Sequence, residues 1–354
     1  MATATLPVAF PISARGGVMT TKKSEDSASH GHIIDVHSHA LLPRGIDALR
    51  QAPGVPREIA TAPLPPWSVE KHLAMMDAHG IQACVLSFPG ATAFLKGQPA
   101  RDLARAMNED FAEIIARHPR RFGAFAILPV DDMNSANEEM SYALDVLKLD
   151  GVVCTTNIGG LYLGDPLFDA WFAEMNRRKA ALFVHPTSPR GLDQCSLCIN
   201  PSLLEFPFDT TRMVTNMVLS GAKKRFADVN MITAHAGGTI PFLASRIGIL
   251  EPQFGAGPGR AILSADEIFE ALRTFYYELT ASTAPASLDA IRHLVPASHL
   301  MLGFDFPMMS PTAIAPSIEQ FERYSALTAD ERRLIVQGTA STLFAALASR
   351  IAQG

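Results

Sequence analysis

Eight short β-branched runs recur along the chain, each followed by a stretch of helical or loop character, and no other feature limits the fold as strongly. The runs are Ile33–His37, Gln82–Phe88, Phe122–Leu128, Gly151–Thr155, Ala181–His185, Asn230–His235, Phe275–Leu279 and His299–Phe304. Helical spacing is expected over Val69–His79, Ala100–Arg117, Ser135–Leu147, Leu167–Arg178 and Leu288–Leu294. Strands that are apolar on both faces and joined through helices belong to a parallel sheet covered on both sides. Eight such units point to an α/β fold of the closed (β/α)₈ TIM-barrel type, for which 354 residues are sufficient. A doubly wound open sheet is the alternative, because periodicity does not tell closure from openness. No Gly-x-Gly-x-x-Gly follows the first run, which speaks against a dinucleotide-binding version.

Residues 31–350 read as a single catalytic domain, and residues 1–30 as a flexible tail rich in Ala, Ser and Thr. Pro7 and Pro11 interrupt the only apolar stretch that a signal peptide would use, and an organelle-targeting peptide is the alternative. The longest irregular stretch, Pro186 to Thr211, follows the fifth run and would overhang the mouth of a barrel. The net charge of −5 is not gathered into blocks, so no footprint for nucleic acid or a membrane surface is expected. No apolar run reaches the roughly 18 residues of a membrane helix. Four cysteines make no disulfide framework in a chain this long, which suggests a reducing, cytoplasmic setting.

The chemistry gathers at the ends of the runs. The first ends Asp35-Val36-His37-Ser38-His39, and side chains at i and i+2 share one face of a strand. Two imidazoles facing the same way can offer two lone pairs to one divalent metal. A His-x-His alone fits a pair of surface or core histidines equally well. Three later runs also end in residues able to bind a metal, namely His185, His235 and Asp305. A barrel places its catalytic groups at such ends. An Asp after an apolar run needs a partner, and a metal or an imidazolium would supply one. The remaining histidines, His30, His32, His72, His79, His118, His293 and His299, read as solvated.

The His-x-His, the sixth-run His235-x-Gly237-Gly238 followed by Pro241 to Ile247, and Gly303-Phe304-Asp305-Phe306-Pro307 resemble the amidohydrolase superfamily. Within it they resemble the aminocarboxymuconate-semialdehyde decarboxylase group. Glu205-Phe206-Pro207-Phe208-Asp209-Thr210-Thr211-Arg212 and Tyr162-Leu163-Gly164-Asp165-Pro166 are similar to segments of the 6-methylsalicylate and hydroxybenzoate decarboxylases. The resemblance spans roughly 31 to 345. It implies that His37, His39, His185 and Asp305 hold the metal and that His235 handles protons beside it. Two positions depart from the group: Glu278 stands where relatives usually have Asp, and Phe304 where many have Ser or Thr. Binuclear members use a bridging Lys or carboxylate at the end of strand four. Lys148 lies at the wrong end for that, so one ion is expected. Three imidazoles and a carboxylate suit Zn²⁺, with Mn²⁺ as competitor. No organic cofactor is required.

The expected reaction is the non-oxidative decarboxylation of an ortho-hydroxybenzoate, with a small aromatic carboxylate as substrate and Asp305 and His235 delivering the proton. Hydrolysis of a lactone or amide on the same barrel is the alternative, because both reactions need a Lewis acid and an acid–base pair. Arg44 and Arg212 are candidates to hold a substrate carboxylate. For Arg212 a salt bridge with Asp209 or Glu205 is the competing reading. Arg246 resembles an arginine that crosses a dimer interface into the neighbouring pocket, so a homodimer is expected. Cys195-x-x-Cys198 lacks a second pair for a structural zinc and reads as two loop thiols. Cys84 and Cys154 read as core, as do Trp67, Phe88 and Phe206.

Overall fold

Every run becomes a strand, and the strands pair in chain order. β1 (Ile33–His39), β2 (Ile81–Ser87), β3 (Phe122–Ala126), β4 (Gly151–Thr155), β7 (Ala181–His185), β8 (Asn230–Thr233), β9 (Tyr276–Glu278) and β10 (Leu300–Met301) form one parallel sheet in that sequence. Between β4 and β7, the short strands β5 (Asn157–Ile158) and β6 (Leu161–Tyr162) make an antiparallel hairpin. The computed structural model describes residues 32–52, 63–189, 191–192, 197, 199–255, 257, 260 and 262–353. The expected N-terminal tail and the Cys195/Cys198 pair lie outside the described residues.

The sheet closes on itself, which excludes the open-sheet alternative. Val36 N donates to Leu302 O at 3.0 Å, Asp305 N to His37 O at 2.6 Å and His39 N to Phe306 O at 2.7 Å. Asp35 reinforces this seam. Its fully buried carboxylate accepts from His37 N and the Ser38 hydroxyl within β1 and from Phe304 N across the closure. Four strands are shorter than the sequence suggests: β3 ends at Ala126, β9 covers only Tyr276–Glu278, and β8 and β10 stop early as well. β8 stops at Thr233 because His235 and Ala236 adopt left-handed φ of 55° and 54°. β10 stops at Met301, just before Gly303 and the left-handed Asp305. The departures in β8 and β10 occur where the chain turns its polar groups into the mouth.

The helices face the barrel for ordinary reasons. Along Gln98–Arg117 the buried residues Ala100, Ala104, Met107, Phe111 and Ile114 recur at helical spacing and form one stripe. Burying a side chain such as Phe111 contributes roughly 1.5–3 kcal/mol. Asn108 of the same helix exchanges hydrogen bonds with both backbone groups of Ile127, fixing the chain just after β3. The helix expected over Ser135–Leu147 starts at Met133, with Asp132 as its cap, and ends in a π-helical turn over Tyr142–Val146. Among the described residues no single helix is long and apolar enough to cross a membrane.

Three expectations need correction. The irregular stretch Pro186 to Thr211 is shorter, because a helix already begins at Glu205 and runs to Leu219. Pro207 is its third residue, where a missing N–H costs no helical hydrogen bond. His72 is not solvated: it is fully buried, accepts from Trp67 Nε1 at 3.0 Å and meets the Phe306 ring edge-on at 4.9 Å. Amphipathic spacing brings it onto the inner face of its helix with Met75 and Met76. His299 is partly buried, stacked on Tyr276 at 4.8 Å.

Candidate active site

His37, His39, His185 and Asp305 converge where the strands end. Their ligand atoms all lie within 4.8 Å of one another. His37 Nε2 is 3.2 Å from His39 Nε2, and Asp305 Oδ1 is 3.5 Å and 2.9 Å from those two nitrogens. The three imidazole rings stand edge to face, with centroids 5.0 to 5.1 Å apart.

Each of these histidines is held by its other nitrogen. His185 Nδ1 donates to the Pro186 carbonyl at 2.7 Å, since a carbonyl can only accept. Ser87 Oγ donates to Ser38 O, which leaves it to accept from His39 Nδ1 at 2.8 Å. His37 Nδ1 donates to Glu278 Oε1 at 2.8 Å. With every Nδ1 carrying its proton, all three Nε2 atoms face one point and offer lone pairs there once the imidazoles are neutral. Asp305 Oδ1 is buried and forms no hydrogen bond, although His39 Nε2 is close. Lone pairs that crowd together without bonding to each other fit a shared cation. These three imidazoles and one carboxylate are the residues that the family resemblance implies as ligands.

The local electrostatics agree with that geometry. Burial by itself would lower the pKa of His37, but the carboxylates of Glu278 and Asp305 outweigh it and push the imidazole up to about 9. Burial would raise Glu278, yet the charge and hydrogen bond of His37 hold it at about 2. Asp305 is held below the carboxylate range against the cost of burial by the same imidazoles, His37 first. His185 and His235 are pushed down, chiefly by burial.

His235 sits beside the cluster, its ring 5.2 Å from that of His37 and 5.9 Å from that of His185. Its Nδ1 is buried with no hydrogen-bond partner. Gly238 makes the turn behind it possible, because at φ 66° a Cβ there would collide with the Pro207 carbonyl. This contact ties the turn after β8 to the helix that begins at Glu205.

Of the three arginines singled out from the sequence, Arg44 and Arg246 lie elsewhere. Arg44 pairs with Asp110 at 2.7 Å and is half exposed. Arg246 is exposed on the helix Ile240–Phe254, at an apolar groove lined by Leu219, Leu243, Ile247, Leu250 and Phe254. Arg212 is exposed near Tyr162, and among the described residues no ion pair joins it to Asp209 or Glu205. Asp209 is turned inward and already engaged: it accepts from the hydroxyls of Thr156 and Tyr162, from Asn157 Nδ2 and from Thr187 N. It thereby joins the loops after β4 and β7 to one helix. Phe206 from that helix meets His185 edge-on at 6.0 Å, closer to the cluster than a core reading allows. Ser87 was not anticipated as a support. Glu278 was noted as a departure from its relatives that could alter a contact behind the ligands, and Asp209 only as a partner for Arg212.

The amidohydrolase family model matches residues 34–345. The chain is 32% identical over 327 residues to the decarboxylase yanB of Aspergillus niger, covering 88% of this chain and 87% of that one. It is 31% identical over 316 residues to the 6-methylsalicylic acid decarboxylase of Penicillium expansum, covering 88% and 95%. Its fold is similar to the crystal structure of 5-carboxyvanillate decarboxylase LigW from Sphingomonas paucimobilis, with a TM-score of 0.79, 23% identity and coverage of 89% and 99%. It is also similar to a dihydroxybenzoic acid decarboxylase from Polaromonas sp. JS666 with bound manganese and 2-nitroresorcinol, with a TM-score of 0.75, 20% identity and coverage of 89% and 97%. Closed barrel, strand-end donors and chain-long similarity agree, and the chain belongs to the amidohydrolase family, among its decarboxylases of the aminocarboxymuconate-semialdehyde type.

Proposed function

We propose that the protein is a metal-dependent, non-oxidative decarboxylase of an ortho-hydroxybenzoate resembling 6-methylsalicylate, releasing CO₂ and a phenol. The convergence of three tautomer-fixed Nε2 atoms and the unbonded Asp305 Oδ1 carries this reading. The activity named for relatives similar along nearly the whole chain gives it direction. His37, His39, His185 and Asp305 would hold one divalent ion. Zn²⁺ suits the donor set, and manganese is present in the Polaromonas relative. When bound, such an ion supplies Lewis acidity to the carboxylate and phenolate oxygens of the substrate.

The chain's own residues supply the rest. Phe206, edge-on to His185, offers an apolar wall to the substrate ring. Asp305, ionised beforehand, would take the proton of the substrate's ortho-hydroxyl and deliver it to the carbon bearing the carboxylate. His235, whose buried Nδ1 is free of other partners, holds and passes protons beside it. The carbon–carboxylate bond then breaks, its electron pair returns to the ring and CO₂ leaves. The decisive test offers 6-methylsalicylate and other ortho-hydroxybenzoates to the metal-loaded enzyme in deuterated water. One deuterium on the carbon that lost CO₂ is expected. Acid release from lactones or amides, with every hydroxybenzoate untouched, would establish hydrolysis instead.

We also propose that the enzyme is a homodimer in which Arg246 reaches the neighbour's substrate. The helix that carries Arg246 exposes Phe242 (83%), Ile249 (58%) and Phe254 (79%), an apolar face suited to a second copy. Arg246 itself is free of the buried cluster of its own barrel and has a planar guanidinium suited to a carboxylate.

A further inference from the structure

Glu278 is a buried carboxylate engaged on both oxygens beside the cluster, and the reaction as proposed gives it no role. It ends β9 with no exposure to solvent. A single oxygen, Oε1, accepts from His37 Nδ1 at 2.8 Å and from the backbone nitrogen of His235 at 2.6 Å. The other, Oε2, accepts from Thr280 N at 2.7 Å. Gly303 leaves room for this: a Cβ there would collide with Oε2. The carboxylate therefore links β1, β9 and the turn after β8, and the seam residue Gly303 packs against it.

We propose that Glu278 is a positioning residue that sets two groups at once, the Nε2 of His37 toward the cation and the left-handed turn that presents His235. This rests on His37 being a metal ligand, as argued above. His37 can present Nε2 as a lone pair only while Nδ1 keeps its proton, and Oε1 is the charged acceptor for that proton. A carboxylate behind a ligating imidazole also raises its basicity toward a metal. His235 at φ 55° is in a left-handed conformation that a side chain bearing a Cβ adopts only at a cost. The hydrogen bond to its N–H offsets that strain. His37, Glu278 and His235 are also spaced like a second cation site. The hydrogen bonds from His37 Nδ1 and His235 N to one oxygen account for that spacing without a second ion.

Reach is what the site demands. Asp at this position would draw the carboxylate back by one carbon–carbon bond, about 1.5 Å, too far for it to bond to His37 while retaining Thr280. The test compares wild type, Glu278→Asp and Glu278→Gln for Zn²⁺ and Mn²⁺ affinity by chelator competition. It also reads the His37 tautomer by ¹⁵N NMR of the Zn²⁺ form, and kcat at saturating metal. Glu278→Asp should bind both ions roughly 10- to 100-fold more weakly and lose the Nδ1–H signature of His37. It should keep a deficit in kcat with KM little changed after metal saturation, because His235 is no longer held. Glu278→Gln retains length and an acceptor, so it should keep the Nδ1–H signature with a smaller loss of affinity. That comparison holds even if the Asp variant fails to fold. Wild-type affinity together with an unchanged His37 tautomer in Glu278→Asp would overturn the role of Glu278 alone. A wild-type protein that binds neither ion would overturn the metal centre as well, and the two failures are separable.

Discussion

Asp305 Oδ1 lies 2.9 Å from His39 Nε2 without a hydrogen bond between them. With His39 Nδ1 committed to Ser87, a neutral His39 brings no proton to this contact, and a shared cation would satisfy both atoms. Replacing Asp305 or His185 with Ala should therefore lower the bound metal well below one equivalent and abolish turnover, with the barrel still folded by circular dichroism. Elemental analysis and activity read this together. Full metal occupancy with normal activity in either variant would remove that residue from the ligand set.

His235 stands outside the four-donor set, and its Nδ1 is unpartnered. His235→Asn should keep the metal and lose roughly 10²- to 10⁴-fold in kcat, the usual worth of positioned acid–base catalysis. Loss of the metal would make His235 a ligand; unchanged kcat would make it structural.

Metal affinity should depend on pH. The carboxylates of Glu278 and Asp305 keep His37 protonated up to about 9, whereas a cation needs its neutral Nε2. Binding must then expel a proton, so affinity rises with pH, by about tenfold per unit below that pKa for one proton released. Calorimetry in buffers of different ionisation enthalpy counts the proton directly. Affinity that stays flat between roughly pH 6 and pH 8 would contradict the expulsion of a proton from His37.

Asp209 ties three segments of the mouth together from a fully buried position. Asp209→Ala would leave the hydroxyls of Thr156 and Tyr162 and the N–H of Thr187 without their acceptor. An unsatisfied buried polar group costs about 1–3 kcal/mol, so a lowered melting temperature is expected. KM should rise as well, since Thr187 follows His185 by two residues. Tyr162→Phe removes one of those contacts and should show the smaller shift. A melting temperature equal to wild type in Asp209→Ala would show that the loops hold themselves.

Arg246 tests the dimer. Arg246→Ala should raise KM or stop turnover in a folded subunit. Mixing Arg246→Ala with His185→Ala subunits should restore one working site per heterodimer, because each chain supplies what the other lacks. Verified heterodimers without activity, or a fully active monomer, would refute a shared site.

The sequence by itself determined the eight β/α units and the polar groups at their strand ends. Side-chain alternation and burial act locally, so β-branched runs announce strands, and polar residues at their ends announce a mouth. His37, His39, His185, His235 and Asp305 were legible for that reason, while the choice of four proposed ligands among them came from the family resemblance. Tertiary structure alone decided closure, which depends on β1 meeting the chain from Leu302 to Phe306 across more than 260 residues. It also decided the supports. Ser87, Asp209 and Glu278 act on groups 48, 22 and 241 positions away along the chain, and a hydrogen bond needs three ångströms in space but no particular separation in sequence. His72 was misjudged because a polar residue type does not reveal which face of its helix is turned inward. The tautomers of the three histidines, and with them the direction of every lone pair in the site, follow from partners that only the closed barrel brings within reach.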